Sequence, residues 1–263
     1  MGTPINAPSR RMHAIAYRMG ITILTLGVTA GGAMAQTTQS VVIGPSRGLD
    51  AYSLESNGTG FFVNDDGDVL TARHVVEACN SLFIIKGGQV ARASIKAKSS
   101  DKDLAVISSR IKPFLSARFP KTDNVKGAEP VFTAGYEVLR HMPDRSTTMY
   151  NALTRDKSLE KTGELTLISS ATNGASGSPV LNEAGLVVGL VIEREMVIDA
   201  DPRSYAIRSS AATYVIAVSG DPIKAFLAAS KVPFEETDVP QLESTQPHAP
   251  RAATLEAGVL CGG

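Results

Sequence analysis

Ser176 lies in the stretch Asn173-Gly174-Ala175-Ser176-Gly177-Ser178-Pro179-Val180, whose composition suits a serine hydroxyl that attacks a carbonyl carbon. Glycine on both sides frees the backbone for a tight turn that a side chain would obstruct. The turn Gly174-Ala175-Ser176 can aim the N–H groups of Gly174 and Ser176 at one point, which is how an oxyanion hole is built. Donors of that kind each contribute roughly 2.7–4 kcal/mol to catalysis. Taken alone, the stretch also reads as a surface turn between two strands. What favours chemistry is the set of partners available elsewhere.

A serine nucleophile needs a base for its proton, and the base needs a third group to hold its ring. The chain has four histidines. His13 belongs to the N-terminal segment, His248 to a polar C-terminal stretch, and His141 to a polar loop beside Pro143. His74, within Thr71-Ala72-Arg73-His74-Val75-Val76, alone stands in an ordered apolar context. For the orienting acid, Asp103 directly precedes Leu104-Ala105-Val106. A carboxylate there is drawn toward the core, where it is costly unless it accepts hydrogen bonds. Asp101 competes, but its distance from the apolar run suits a solvated loop.

The elements that must position these groups are strands. Thr59 to Val63 and Val69 to Thr71 flank Asn64-Asp65-Asp66-Gly67-Asp68, a hairpin turn by its Asn/Asp/Gly chemistry. This turn lacks the alternating acidic spacing and distal glutamate of a calcium loop, so no metal is expected. Val41-Val42-Ile43, Leu82 to Ile85, Val90 to Ile95, Leu104 to Ile107, Pro130 to Gly135, Leu165 to Ile168, Gly185 to Ile192 and Thr213 to Val218 read as further strands. A Lys-, Pro- and Asp-containing linker, Lys112 to Gly127, separates two β-rich halves at about 41–111 and 127–218. Residues 221–229 have helical spacing, with Ile223, Phe226 and Leu227 on one face. From 231 to 263, scattered prolines among polar residues predict a flexible C-terminal tail.

Arg10, Arg11 and Arg18 precede the apolar run Gly20 to Gly32, and Ala33-Met34-Ala35 matches a small-x-small cleavage pattern. The run is shorter than the roughly 20 residues a membrane span needs. Residues 1–35 therefore read as a cleaved export signal, with a periplasmic or secreted product and no stable membrane insertion. Ser9-Arg10-Arg11 raises twin-arginine export, although the hydrophobic residue expected after the pair is missing. Charges balance at 26 basic against 26 acidic, which gives no electrostatic grip on nucleic acid. Cys79 and Cys261 can pair in an oxidising compartment, but the sequence does not show that they meet. With no CxxC and no His/Cys cluster, neither a zinc site nor another cofactor is expected.

The order His74, Asp103, Ser176, with gaps of 29 and 73 residues, is the chymotrypsin order rather than that of α/β-hydrolases. Gly58-Thr59-Gly60-Phe61-Phe62-Val63, Val69 to Val76, Asp103-Leu104-Ala105-Val106 and Gly174 to Val180 resemble trypsin-like serine peptidases of the bacterial HtrA/Deg type. Gly189-Leu190-Val191 and the Val215 to Ser219 strand before a helix are similar too. The resemblance covers residues 41–230 and implies an all-β fold of two six-stranded antiparallel β-barrels with a C-terminal helix. It places the peptidase domain at 36–230, with the site in the cleft between barrels. It implies a serine endopeptidase acting on proteins or peptides, without the PDZ domains that HtrA proteins carry. Ala175 stands where digestive relatives have an aspartate that pairs with a freshly cut N-terminus, so signal cleavage is the only processing expected.

By the same resemblance, Ser169, Ser170, Ile192, Glu193 and Val215 line the substrate pocket. No acidic residue occupies the stretch before Ser176, so a small or medium apolar residue before the cut is expected. Glu193 and Arg194 can instead form an exposed ion pair at a strand end. Two other readings remain for the whole chain: a catalytically silent binding or scaffolding protein on this fold, and an esterase using the same three residues.

Overall fold

A computed structural model describes residues 56–122, 125–155, 162–169, 174–196 and 213–262. The export segment, the strand at Val41-Val42-Ile43, Ser170 and Asn173 lie outside the described residues. Two six-stranded antiparallel β-barrels carry the chain, with few and short helices, and the fold is chymotrypsin-like.

The first barrel begins with the hairpin of β1 (Gly58–Phe62) and β2 (Asp68–Thr71). Asn64 sets the turn, because its Oδ1 accepts the N–H groups of Asp66 and Asp68. Gly67 adopts φ +87°, and a Cβ there would lie 2.5 Å from the Ile111 carbonyl oxygen. Asp68 is buried, and Lys96 meets its carboxylate at 2.6 Å. Burial alone would raise that carboxyl; hydrogen bonds from Lys96, Asn64 and Ser108 outweigh it and hold Asp68 below the usual range. After β2 comes α1 (Arg73–Val76), four residues without a side-chain cap, which burial of Val75 and Val76 holds in place. β3 (Ser81–Lys86), β4 (Gln89–Lys98) and β5 (Ala105–Ser109) follow as a meander, and β5 returns to pair with β2.

Next in the chain are β6 (Arg118–Phe119), then β7 (Pro130–Val131), β8 (Ala152–Thr154), β9 (Glu164–Ser169), β10 (Pro179–Leu181), β11 (Val187–Met196) and β12 (Thr213–Ser219). The last six form one sheet in the order β10-β11-β12-β9-β8-β7. Reciprocal bonds between Phe132 and Leu181 nearly close it into the second barrel, each N–H donating to the other's carbonyl at 2.8–2.9 Å. A helix α2 (Tyr136–His141) occupies what the sequence suggests is a polar loop, and His141 ends it. The expected C-terminal helix is α3 (Gly220–Ala229).

Residues 231–262 correct the expectation of a flexible tail. They form a strap that runs over both barrels and completes the first. β13 (Glu235–Glu236) pairs in parallel with β6, inside what reads as a linker, and Phe234 meets Phe119 edge-on at 5.8 Å. The N–H of Gln241 then donates to the Ala184 carbonyl between β10 and β11. Helix α4 (His248–Leu255) follows, with His248 buried against Tyr150 and hydrogen-bonded to the Asn182 carbonyl. Lys86 Nζ donates to the carbonyls of Ala253, Thr254 and Glu256, capping the C-terminal end of α4 where a cation complements the helix dipole. Finally β14 (Glu256–Gly262) enters between β1 and β3 as an antiparallel strand, and the barrel closes in the order β1-β14-β3-β4-β5-β2. A disulfide joins Cys261 of this strand to Cys79. The prolines therefore punctuate a folded strap whose order comes from partners far away in sequence.

Candidate active site

His74 sits on α1, just beyond β2, and Asp103 in the turn that precedes β5. That turn is organised locally: Ser99 Oγ donates to Asp101 Oδ1 and accepts the Lys102 N–H. Asp101 is thus engaged in shaping the turn, while Asp103 faces the helix. His74 Nδ1 lies 2.5 Å from Asp103 Oδ2, and the His74 backbone N–H donates to Asp103 Oδ1 at 2.9 Å. One carboxylate thereby fixes both the ring and the backbone of the histidine.

The hydrogen bond to Asp103 raises the His74 pKa above its ordinary 6.5; burial opposes, and the charges of Asp103 and Glu193 add to the rise. For Asp103, burial alone would raise the carboxyl. Hydrogen bonds from the His74 ring and backbone, with the charges of His74 and Arg73, outweigh it and keep Asp103 below the usual range.

Ser176 comes from the second barrel, and β1 of the first barrel holds it. The Thr59 N–H donates to the Ser176 carbonyl at 2.9 Å, and Thr59 Oγ1 donates to the Gly174 carbonyl at 2.8 Å. Gly58 packs between Val75 and the serine turn: a Cβ on it would lie 2.7 Å from Val75 Cγ1 and 3.3 Å from Ser176 O. The serine turn therefore abuts the helix that carries His74. Gly177, at φ +88°, leaves room for a Cβ only 1.9 Å from the Thr59 carbonyl oxygen, so that position requires glycine. Ala175 is buried among the apolar residues of the second barrel, including Val191 and Val215. A carboxylate at position 175 would sit unpaired there, a costly burial.

Among the expected pocket residues, Ser169 ends β9 and is buried, and Val215 on β12 is packed into the second-barrel core. Ile192 and Glu193 lie on β11, where the register with β12 shifts between Val191 and Glu193. A bulge of this kind re-aims side chains. Glu193 is exposed and near enough for its charge to act on His74. As a general base His74 would have to be neutral, so activity is then expected to rise with pH through its raised pKa. Glu193→Gln removes one raising charge, so the acidic limb of the kcat/KM profile is expected to move to lower pH. The displacement should shrink in high salt, since an exposed charge is screened. An unmoved limb at low salt would exclude Glu193 as a contributor.

Reading the sequence alone missed Thr59, whose only signal is its place between two glycines in the first strand.

Residues 58–190 match the model of the trypsin-like peptidase domain. The chain is 29% identical over 154 residues to a probable periplasmic serine endoprotease, DegP-like, from Pseudomonas savastanoi pv. phaseolicola, covering 56% of this chain and 31% of that protein. It is 26% identical over 217 residues to a putative serine protease, HhoB, from Synechocystis sp., covering 78% and 51%. The chain spans about half or less of the length of these relatives. Among solved structures, the HtrA-type protease AlgW with decapeptide superposes with a TM-score of 0.48 at 15% identity, covering 67% of this chain and 51% of that one. By the match over residues 58–190, the chain belongs to the trypsin-like peptidase domain family.

Proposed function

We propose that this chain is an exported serine endopeptidase with His74, Asp103 and Ser176 as its catalytic triad. The observation that carries the reading is the seating of His74 on Asp103, by ring nitrogen and backbone N–H together, beside the serine turn. Ser176 Oγ attacks the scissile carbonyl carbon while His74 Nε2 takes its proton, and Asp103 holds the tautomer that leaves Nε2 free. The oxyanion is received by the N–H groups of Gly174 and Ser176. His74 then returns the proton to the leaving amine, and water resolves the acyl-enzyme by the same steps.

The substrate is a protein or peptide, in keeping with the family. Beyond Val191, whose N–H and carbonyl bond Ser178 and Gly177, β11 pairs on one side with β12 and has no strand on the other among the described residues. An extended substrate backbone adds to such an edge. A small or medium apolar residue before the cut fits the stretch ahead of Ser176, which has no acidic residue. The disulfide between Cys79 and Cys261 is at home in an oxidising compartment, and with the N-terminal signal it supports export to the periplasm or beyond.

The test is to label the mature chain from Gln36 with a fluorophosphonate, map the adduct by mass spectrometry, and follow casein cleavage. The expected result is an adduct on Ser176 and loss of cleavage in proportion to labelling. Neither labelling nor cleavage would mean a silent fold and overturn the reading.

A further inference from the structure

We propose that Thr59 is a positioning residue for the oxyanion-binding turn, a role that rests on the peptidase reading above. Thr59 is fully buried on β1 and reaches the serine turn twice, through its N–H to Ser176 O and through Oγ1 to Gly174 O. Its hydroxyl has one proton, and the direction of that proton is set by its second partner. The Tyr136 N–H donates to Oγ1 at 2.9 Å, which occupies the acceptor side and leaves the proton for the Gly174 carbonyl. Thr59 is itself tethered, since Thr71 Oγ1 donates to its carbonyl at 2.6 Å.

The consequence for the oxyanion hole follows from peptide geometry. In a trans peptide unit the C=O and the next N–H point in opposite directions, so holding one aims the other. Three consecutive carbonyls of the turn are held: Gly174 by the Thr59 hydroxyl, Ala175 by the Ser178 N–H at 2.8 Å, and Ser176 by the Thr59 N–H. The second of these aims the Ser176 N–H away from the Ala175 carbonyl's partner. The first fixes the Gly174–Ala175 peptide, and sterics do not do so: Gly174 has φ +84°, and a Cβ built on it meets nothing within 4 Å among the described residues. A glycine so placed can rotate the peptide that follows it. With the Thr59 hydroxyl gone, the Gly174–Ala175 peptide is free to turn, and Ala175, whose own peptide carries the Ser176 N–H, loses its support on that side. The hydroxyl therefore acts through Gly174 and does not touch substrate.

The experiment compares Thr59→Val, which keeps the branched shape and the backbone N–H, with Thr59→Ser, which keeps the hydroxyl. Peptide turnover, affinity for a peptide boronate, and thermal unfolding are read on each. Thr59→Val is expected to lower kcat by about 10²-fold, the size of losing one oxyanion donor, with KM little changed. Boronate affinity should fall with kcat, and Thr59→Ser should restore both. Should Thr59→Val not fold, Thr59→Cys carries the same expectation, because a thiol is only a weak donor. Wild-type turnover matched by Thr59→Val or Thr59→Cys overturns the role alone. So does a loss shared by Thr59→Ser, or one that appears equally in kcat and KM. A wild-type chain with neither turnover nor fluorophosphonate labelling removes the peptidase reading itself, and this role with it.

Discussion

Ser176→Ala in the mature chain is expected to lower kcat for peptide hydrolysis by about six orders of magnitude, and Asp103→Asn by about four. Asp101→Asn is expected to stay near the wild-type rate. Without the serine hydroxyl there is no nucleophile to form the acyl-enzyme. The asparagine keeps the size of Asp103 but presents an amide where the His74 ring needs an acceptor, favouring the tautomer with its proton on Nε2. It also removes the negative charge that stabilises the imidazolium formed during attack. Asp101, whose carboxylate bonds Ser99 Oγ within its own turn, makes neither contribution. Initial rates on a fluorogenic peptide decide the matter. A larger loss from Asp101→Asn than from Asp103→Asn would reassign the orienting acid, and casein cleavage by Ser176→Ala would remove the serine from the mechanism.

Ending the chain after Val232 is expected to abolish cooperative folding of the first barrel. The deletion removes β14 from between β1 and β3, leaving two bare strand edges, and strips away buried Ala252, Leu255, Ala257 and Val259. It also removes Cys261. The disulfide alone closes a loop across a separation of 182 residues. Replacing both cysteines by serine is therefore expected to cost about 2–5 kcal/mol, which lowers Tm by roughly 5–15 °C for a domain of this size. Differential scanning calorimetry separates the two variants. The cysteine-free chain should melt cooperatively at lower temperature, and the truncated chain should show no cooperative transition. A truncated chain that melts like the full one would mean that the strap is decoration.

The contrast between these two regions shows what a sequence makes legible. His74 and Asp103 each stand beside a strand in a segment whose local chemistry suggested their pairing, and the structure seats one on the other. The Asn64–Asp68 turn was legible for the same reason, because the groups that shape it lie within five residues of one another. The strap was not. Val259 pairs with Gly58, and His248 binds the Asn182 carbonyl, so its order is set by residues that no local window contains. Its apolar residues are spaced irregularly among prolines and polar residues, which gives little periodic signal. Thr59 was hidden differently. A threonine between glycines in a strand looks like any other until the partners of its hydroxyl, Gly174 and Tyr136, are seen on either side.

The closing strand of the first barrel also gives the molecule a clock. A chain that emerges N-terminus first presents β1 almost 200 residues ahead of β14, its neighbour in the barrel wall. At synthesis rates of about 5–20 residues per second, that interval is roughly 10–40 s. During it, every strand of the second barrel has already appeared, while the half that holds His74 and Asp103 lacks one stave. The parts that would cut are thus delivered early and made to wait. The barrel that holds His74 and Asp103 is complete only once β14 has arrived.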